Sequence, residues 1–308
     1  YKIAEKPLFS YDVKEGTKQL YDLLKEAFPY APFCIYDGEC LSSLQHHLSY
    51  NTLTYVETGR AVAEVVFHTL QDKGYKVFYK PGKEEFHKYI NISTPAIIAK
   101  PMVSDSPLRT IDGVPGPSLE KLLVDIRRDK DFDYLAGEEC SRMLENAFNM
   151  FPVNTTKLLR YAGRRGVRTE IENEIKIIMD EINSPILNIP GINYRMGAMI
   201  IAEIGDFNRL DSPDKILAYA GFSPSTYQSG QLDGAYAHME KRGSRYLRYA
   251  LYNATKYVCH WDPTFAAYLA KKRAEGKHYN VDISHAVKKL VRVIYHLEKT
   301  KQQYIKAA

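Results

Sequence analysis

The chain has 308 residues, 45% of them hydrophobic, and carries 42 Lys+Arg against 37 Asp+Glu. That apolar share belongs to a packed protein and excludes full disorder, and 18 Gly with 15 Pro are too few for a collagen-like or low-complexity chain. No run of about 18 apolar residues is present to span a bilayer, so no membrane partner is expected, and the length suits one large domain or two of ordinary size.

The opening Tyr1-Lys2-Ile3-Ala4 has no Met and no secretory signal, and a segment ahead of Tyr1 is expected. Residues 17–28 read as an amphipathic helix with Leu20, Leu23, Leu24 and Phe28 on one side. Residues 33–36 and 53–56 are short β-type runs. Helical period returns over 59–73, with Gly74 placed to close it. Residues 75–79 and 96–99 are strand candidates, and 119–126, 138–148 and 155–163 read as helices, the last capped by Asn154 or Thr155.

The stretch 160–168 is rich in Gly and charge, and the Glu-rich 169–181 lacks a broad apolar face. A domain boundary is placed there, dividing the chain into a mixed α/β domain (1–170) and an all-α domain (171–308), an α+β chain overall. Helices are expected over 194–204, 213–220, 243–257, 263–275 and 283–299. Ser212, Pro213 and Gly221 supply the cap, first turn and stop of the second. Cys34, Cys40, Cys140 and Cys259 follow neither zinc spacing nor a disulfide framework, and reduced thiols in a cytoplasmic protein are expected.

The charge is uneven. Residues 241–308 hold 15 basic and 4 acidic side chains, whereas 173–240 hold 4 and 9. Tyr246, Tyr249, Tyr252, Tyr257, His260, Trp261, Tyr268 and Tyr279 are interleaved with these cations. Such a segment is either a polyanion surface or a solvated helical face. Three constellations stand out. Pro190-Gly191 ahead of a helix outlines a helix-hairpin-helix, which would offer backbone N–H groups to a DNA phosphate at Gly191; an ordinary helical corner is the alternative. Residues 221–231 gather hydroxyls, with Ser229 beside Gly230, and read either as a polar loop or as an exposed nucleophile. Lys241, Arg242, Arg245 and Arg248 fall within eight residues around a helix start and suit phosphate oxygens.

Residues 182–305 resemble the C-terminal domain of insertion-sequence transposases of the IS110/IS116 family. The resemblance lies in Ile189-Pro190-Gly191-Ile192, Ile204-Gly205-Asp206, Ala218-Tyr219-Ala220-Gly221-Phe222-Ser223-Pro224, Tyr227-Gln228-Ser229-Gly230, and Lys241-Arg242-Gly243-Ser244-Arg245-Tyr246-Leu247-Arg248. It implies DNA transposition, with Ser229 as the nucleophile in strand transfer and Arg242, Arg245 and Arg248 on phosphate. It also implies DNA as partner, a guide RNA and a homo-oligomer. Mg²⁺ belongs to the family's RuvC-like domain. The nearest start to such a domain here is Phe33-Cys34-Ile35-Tyr36-Asp37, with no further acidic set behind it, so this chain is expected to hold no metal or other cofactor. Residues 21–168 resemble AbiEi-type antitoxins and regulators, through Gly74-Tyr75-Lys76-Val77-Phe78, Ile98-Ala99-Lys100-Pro101, residues 118–125 and 157–162. Two further readings therefore stand beside transposition: a fusion that binds DNA without cutting it, and a transcriptional regulator or antitoxin.

Overall fold

The computed structural model describes residues 6–45, 51–135, 137–223, 228–229, 232–233, 242–276 and 278–306, with the backbone alone at 228–229 and 232–233. The chain forms two compact units, one of residues 8–171 and one centred on 172–308, to which Lys6 and Pro7 also belong. The first is mixed α/β and the second mostly helical.

The first unit is built on a four-stranded sheet, with α1 (Glu15–Ala27) preceding β1 (Phe33–Asp37) and β2 (Thr54–Thr58). After β2 come α2 (Ala63–Asp72), β3 (Val77–Tyr79), α3 (Lys83–Tyr89) and β4 (Ile97–Pro101). The order is β1-β2-β4-β3: β1 runs antiparallel to β2, while β2, β4 and β3 are mutually parallel. One sheet face carries Phe33, Ile35, Val56, Val77, Ile97 and Ala99, and it is closed by Leu20 and Leu24 of α1 and Val66 and Leu70 of α2. Alternation along the strands puts Tyr36, Tyr55 and Glu57 on the other face. There α4 (Leu119–Arg128) has its whole 119–126 stretch buried, and α5 (Glu138–Met150) and α6 (Thr155–Arg165) pack on it. Asn154 caps α6, its side chain accepting from the Lys157 N–H. Gly74 closes α2 in a left-handed turn (φ +82°), with Tyr75 N–H bonded to the Leu70 carbonyl and Gly74 N–H to that of Gln71.

Two elements of this unit lie outside the sequence expectation. Residues 108–117 form a hairpin, β5 (Leu108–Ile111) with β6 (Val114–Pro117), whose Asp112 (φ +49°) and Gly113 (φ +84°) both take the positive φ of a two-residue turn. The short α3 buries only Phe86. Asp37, the candidate start of a metal-binding half, is buried and accepts hydroxyl hydrogen bonds from Thr17 at 2.6 Å and Thr54 at 2.8 Å.

The chain continues into α7 (Arg168–Ile182), which buries Ile171, Ile175 and Met179 at four-residue steps; this narrow stripe suffices where no broad apolar face exists. The second unit then comprises α8 (Tyr194–Ile204), α9 (Pro213–Tyr219), the strand pair β7 (Gln228–Ser229) and β8 (Leu232–Asp233), α10 (Arg245–Trp261), α11 (Pro263–Arg273) and α12 (Tyr279–Thr300). Its core is one apolar cluster drawn from α8 to α12, with α10 packed against α8, α11 and α12. Ser212 occupies the cap position of α9 without making a cap hydrogen bond. Gly221 (φ +71°) ends that helix as expected, with Phe222 N–H bonded to the Leu217 carbonyl. The four cysteines are buried free thiols. Among the described residues no helix is long and apolar enough to cross a membrane.

Candidate nucleic-acid interface

Helix α10 is apolar at Leu247, Ala250, Leu251, Ala254 and Val258, all buried in the core. A 3.6-residue period then turns the positions between them outward. Arg245, Lys256 and His260 are exposed there, and Tyr249, Tyr257 and Trp261 leave 47%, 53% and 59% of their surface in solvent. Arg245, Tyr249, Lys256 and His260 share one face, while Tyr257 and Trp261 are exposed further round the helix, beside the Gly191 turn; exposed aromatics and cations together combine planar stacking surface with charge for a phosphate backbone. The Arg245 guanidinium donates to the Tyr246 hydroxyl at 2.8 Å and lies 4.8 Å over that ring; the hydrogen bond shifts its pKa upward. His260 packs edge-on to Trp261 with ring centroids 4.9 Å apart.

The start of α10 is fixed by a tight backbone junction. Gly243 adopts φ +97°, and a Cβ there would fall 2.1 Å from the Tyr219 carbonyl oxygen, so only glycine fits. Ser244 N–H donates to that same oxygen at 2.7 Å. The Ser244 hydroxyl accepts the Leu247 N–H at 3.0 Å as the helix cap and donates to the buried Glu203 carboxylate at 2.6 Å. Arg248 donates to the Ala220 carbonyl at 3.0 Å. The basic motif therefore divides in two. Gly243, Ser244 and Arg248 lock α10 onto the end of α9, whereas Arg242 and Arg245 are exposed. The expectation that Arg248 is a phosphate ligand beside Arg245 meets a carbonyl already holding its guanidinium. Glu203 escaped the sequence reading; its only signal is one carboxylate inside the apolar run Met199-Ile200-Ile201-Ala202-Glu203-Ile204.

Gly191 also has a different surrounding from the one expected. It adopts φ +96°, and a Cβ would come within 2.6 Å of the Tyr257 carbonyl carbon and 2.7 Å of Val258 N, both α10 backbone atoms. Its glycine character serves close packing on α10. The element before it is a single 3₁₀ turn, Pro185–Asn188, in place of the first α-helix of a hairpin pair. Between this turn and α10 runs an open groove of about 500 Å³, lined by Pro190, Gly191, Asn193, Tyr257, Trp261 and Lys306. Asn193 caps α8 there, accepting the Met196 N–H at 3.0 Å.

The Ser229 backbone pairs antiparallel with Leu232 in the β7–β8 ladder. Its side chain lies outside the described residues, as do Gly230 and Lys241. Among the described residues, no three His, Cys, Asp or Glu side chains converge to hold a metal ion. Beside Gly205 and Arg209, Lys6 has its pKa lowered to about 8, because burial disfavours its charge and Arg209 adds repulsion, against the pull of Glu203.

The comparisons with known proteins relate the second unit to a family of transposases. Residues 183–270 match the model of the transposase IS116/IS110/IS902 family. Similar curated proteins include the insertion element IS110 uncharacterized 43.6 kDa protein of Streptomyces coelicolor, 25% identical over 42% of this chain and 32% of that protein. The insertion element IS900 uncharacterized 42 kDa protein of Mycobacterium paratuberculosis is 28% identical over 36% of this chain and 28% of its own length. The insertion element IS116 uncharacterized 44.8 kDa protein of Streptomyces clavuligerus is 25% identical over 40% and 30%. This chain spans about a third of the length of these relatives. Residues 1–181, more than half of the chain, match a family of unknown function (DUF6577), and the chain belongs to that family. That match lends no support to the AbiEi-type reading of the same residues.

Proposed function

We propose that the second unit grips DNA through the outer face of α10 and takes part in DNA transposition, with Ser229 as the strand-transfer nucleophile. The observation that carries the DNA-binding reading is the exposed face of Arg245, Tyr249, Lys256 and His260, with exposed Tyr257 and Trp261 further round a helix whose remaining side is core. The transposase family match over 183–270 supports transposition and DNA as partner. Cations contact phosphate without reading sequence, and the aromatics stack on unpaired bases, as a strand opened for transfer requires. In the chemical step the serine hydroxyl attacks a DNA phosphorus. Its proton leaves to a base, the serine–phosphate ester forms, and the displaced sugar oxygen departs as a hydroxyl after taking up a proton. A later attack by a strand hydroxyl reverses the ester and conserves the bond. A guide RNA and homo-oligomeric assembly belong to this reading by resemblance.

Its competitor is a chain that binds DNA without cutting it, favoured by the match of residues 1–181 to a family other than the transposases. The two readings part on covalency. Incubation of the full chain with donor and target DNA, with a RuvC-like partner supplied in trans, followed by denaturing electrophoresis, is the test. Transposition predicts a protein–DNA adduct that Ser229→Ala abolishes; binding with no adduct leaves the non-cutting reading standing and removes Ser229 from catalysis.

A further inference from the structure

The first unit contains a cavity of about 700 Å³ that the DNA-binding reading leaves unused. Its position follows from the sheet. Glu57 and Arg60 lie at the end of β2, Lys80 and Pro81 follow β3, and residues 100–104 close β4, so the cavity opens at the carboxyl ends of three parallel strands. In open sheets of this kind ligands settle outside those ends.

The wall is an ionic lattice. Lys121, 1% exposed, donates to Glu57 at 2.8 Å and Asp125 at 2.5 Å. The Tyr161 hydroxyl donates to Asp125 at 3.0 Å. Lys100 holds Asp129 and Asp131, each at 2.8 Å, and Arg165 holds Asp129. With four carboxylates to three cations, the wall keeps every cation paired. The rim does not: Arg60, Lys80, Arg128 and Lys130 are exposed, line the cavity, and have no ion pair among the described residues. Lys80 stands there with φ +42°, a strained conformation for a non-glycine residue that clusters at ligand clamps. Four uncompensated cations call for a ligand with more than one negative charge. Pro81, Met102 and Val103 add apolar surface for a planar ring, and the wall carboxylates keep lone pairs for hydroxyl or amine donors.

We infer that this cavity binds a nucleoside phosphate, its phosphates on the Arg60, Lys80, Arg128 and Lys130 rim and its ring against Pro81, Met102 and Val103. The same chemistry can come from a free nucleotide or from the phosphorylated end of a strand. The full chain is titrated with a fluorescent ADP analogue by anisotropy, then competed with ATP, inorganic phosphate, and a short oligonucleotide with either a 5′-phosphate or a 5′-hydroxyl. Binding is expected to be displaced by ATP far better than by phosphate. It should weaken at least tenfold in Arg128→Ala/Lys130→Ala, whose side chains are exposed, and remain unchanged in Lys73→Ala/Lys76→Ala, exposed cations of the same unit that do not line the cavity. Displacement by the 5′-phosphate strand over its 5′-hydroxyl twin identifies the strand end as the source, and displacement by ATP alone identifies the free nucleotide. No saturable binding, competition by phosphate as effective as by ATP, or indifference to the Arg128 and Lys130 changes would overturn the inference.

Discussion

Gly191→Ala separates a packing role for this glycine from a DNA-contacting one. A methyl group at 191 would sit 2.6–2.7 Å from three backbone atoms of α10, which no side-chain rotation can move aside. Overpacking of that kind costs roughly 1–3 kcal/mol. The φ of +96° adds roughly 1–2 kcal/mol for an L-residue, offset by about 0.4–1 kcal/mol from the stiffer unfolded chain. The sum is a loss of about 1–5 kcal/mol. Gly276 in the same unit is the control, with φ +73° and nothing within 4 Å of its added Cβ, so Gly276→Ala bears only the backbone term, about 1 kcal/mol or less. Urea unfolding followed by fluorescence of Trp261, the chain's single tryptophan and a lining residue of the Gly191 groove, reads the unit concerned. Equal effects of the two substitutions would refute the close approach of the 190–193 turn to α10. A Gly191→Ala protein of unchanged stability but weakened DNA binding would restore Gly191 as a phosphate contact.

Ser244→Ala removes the α10 cap and a donor to the buried Glu203 carboxylate, and should cost about 2–3 kcal/mol in denaturant unfolding; Ser244→Thr should recover most of it. Lys121→Ala leaves Glu57 and Asp125 buried against each other and should cost about 3–5 kcal/mol in thermal or chemical unfolding. Burial works against the Asp129 charge, but Lys100 and Arg165 outweigh it and hold its pKa at about 2, below the usual 3.9. Its contribution is thus present above about pH 4 and fades as pH falls toward 2. Burial pushes Asp125 upward and acts in the opposite sense. The melting-temperature gap between wild type and Asp129→Asn should accordingly narrow between pH 4 and pH 2, and a gap that widens would contradict the assignment. Trp261→Ala and Tyr257→Ala should each weaken single-strand binding by about 1–3 kcal/mol, measured by filter binding on a poly-dT oligonucleotide.

Where apolar spacing and end signals agree, the sequence suffices to place the elements. Helix α8 runs over 194–204 as read, and Gly74 and Gly221 close their helices. The β5–β6 hairpin escaped because its strands are short and hold prolines at 115 and 117, although Asp112-Gly113 marks its turn. Helix α3 buries one side chain and so leaves no period to detect. In the candidate interface, the local motif gave the cations but not their division of labour. Arg248 is drawn to the Ala220 carbonyl and Gly243 to Tyr219 by contacts more than twenty residues away in sequence, beyond the reach of a local motif. The ionic wall around Lys121 is likewise a product of the sheet bringing residues 57, 100, 121 and 165 together.

The most direct measurement is the salt dependence of DNA affinity. A fluorescent duplex is titrated with wild type and with Arg242→Ala/Arg245→Ala/Lys256→Ala between 50 and 200 mM salt, a range set by counterion-release theory. If these exposed cations lie on phosphate, the variant binds more weakly and the slope of log K against log salt shrinks in magnitude by about 2–3. A variant with wild-type affinity and an unchanged slope would place the DNA elsewhere and remove α10 from the interface.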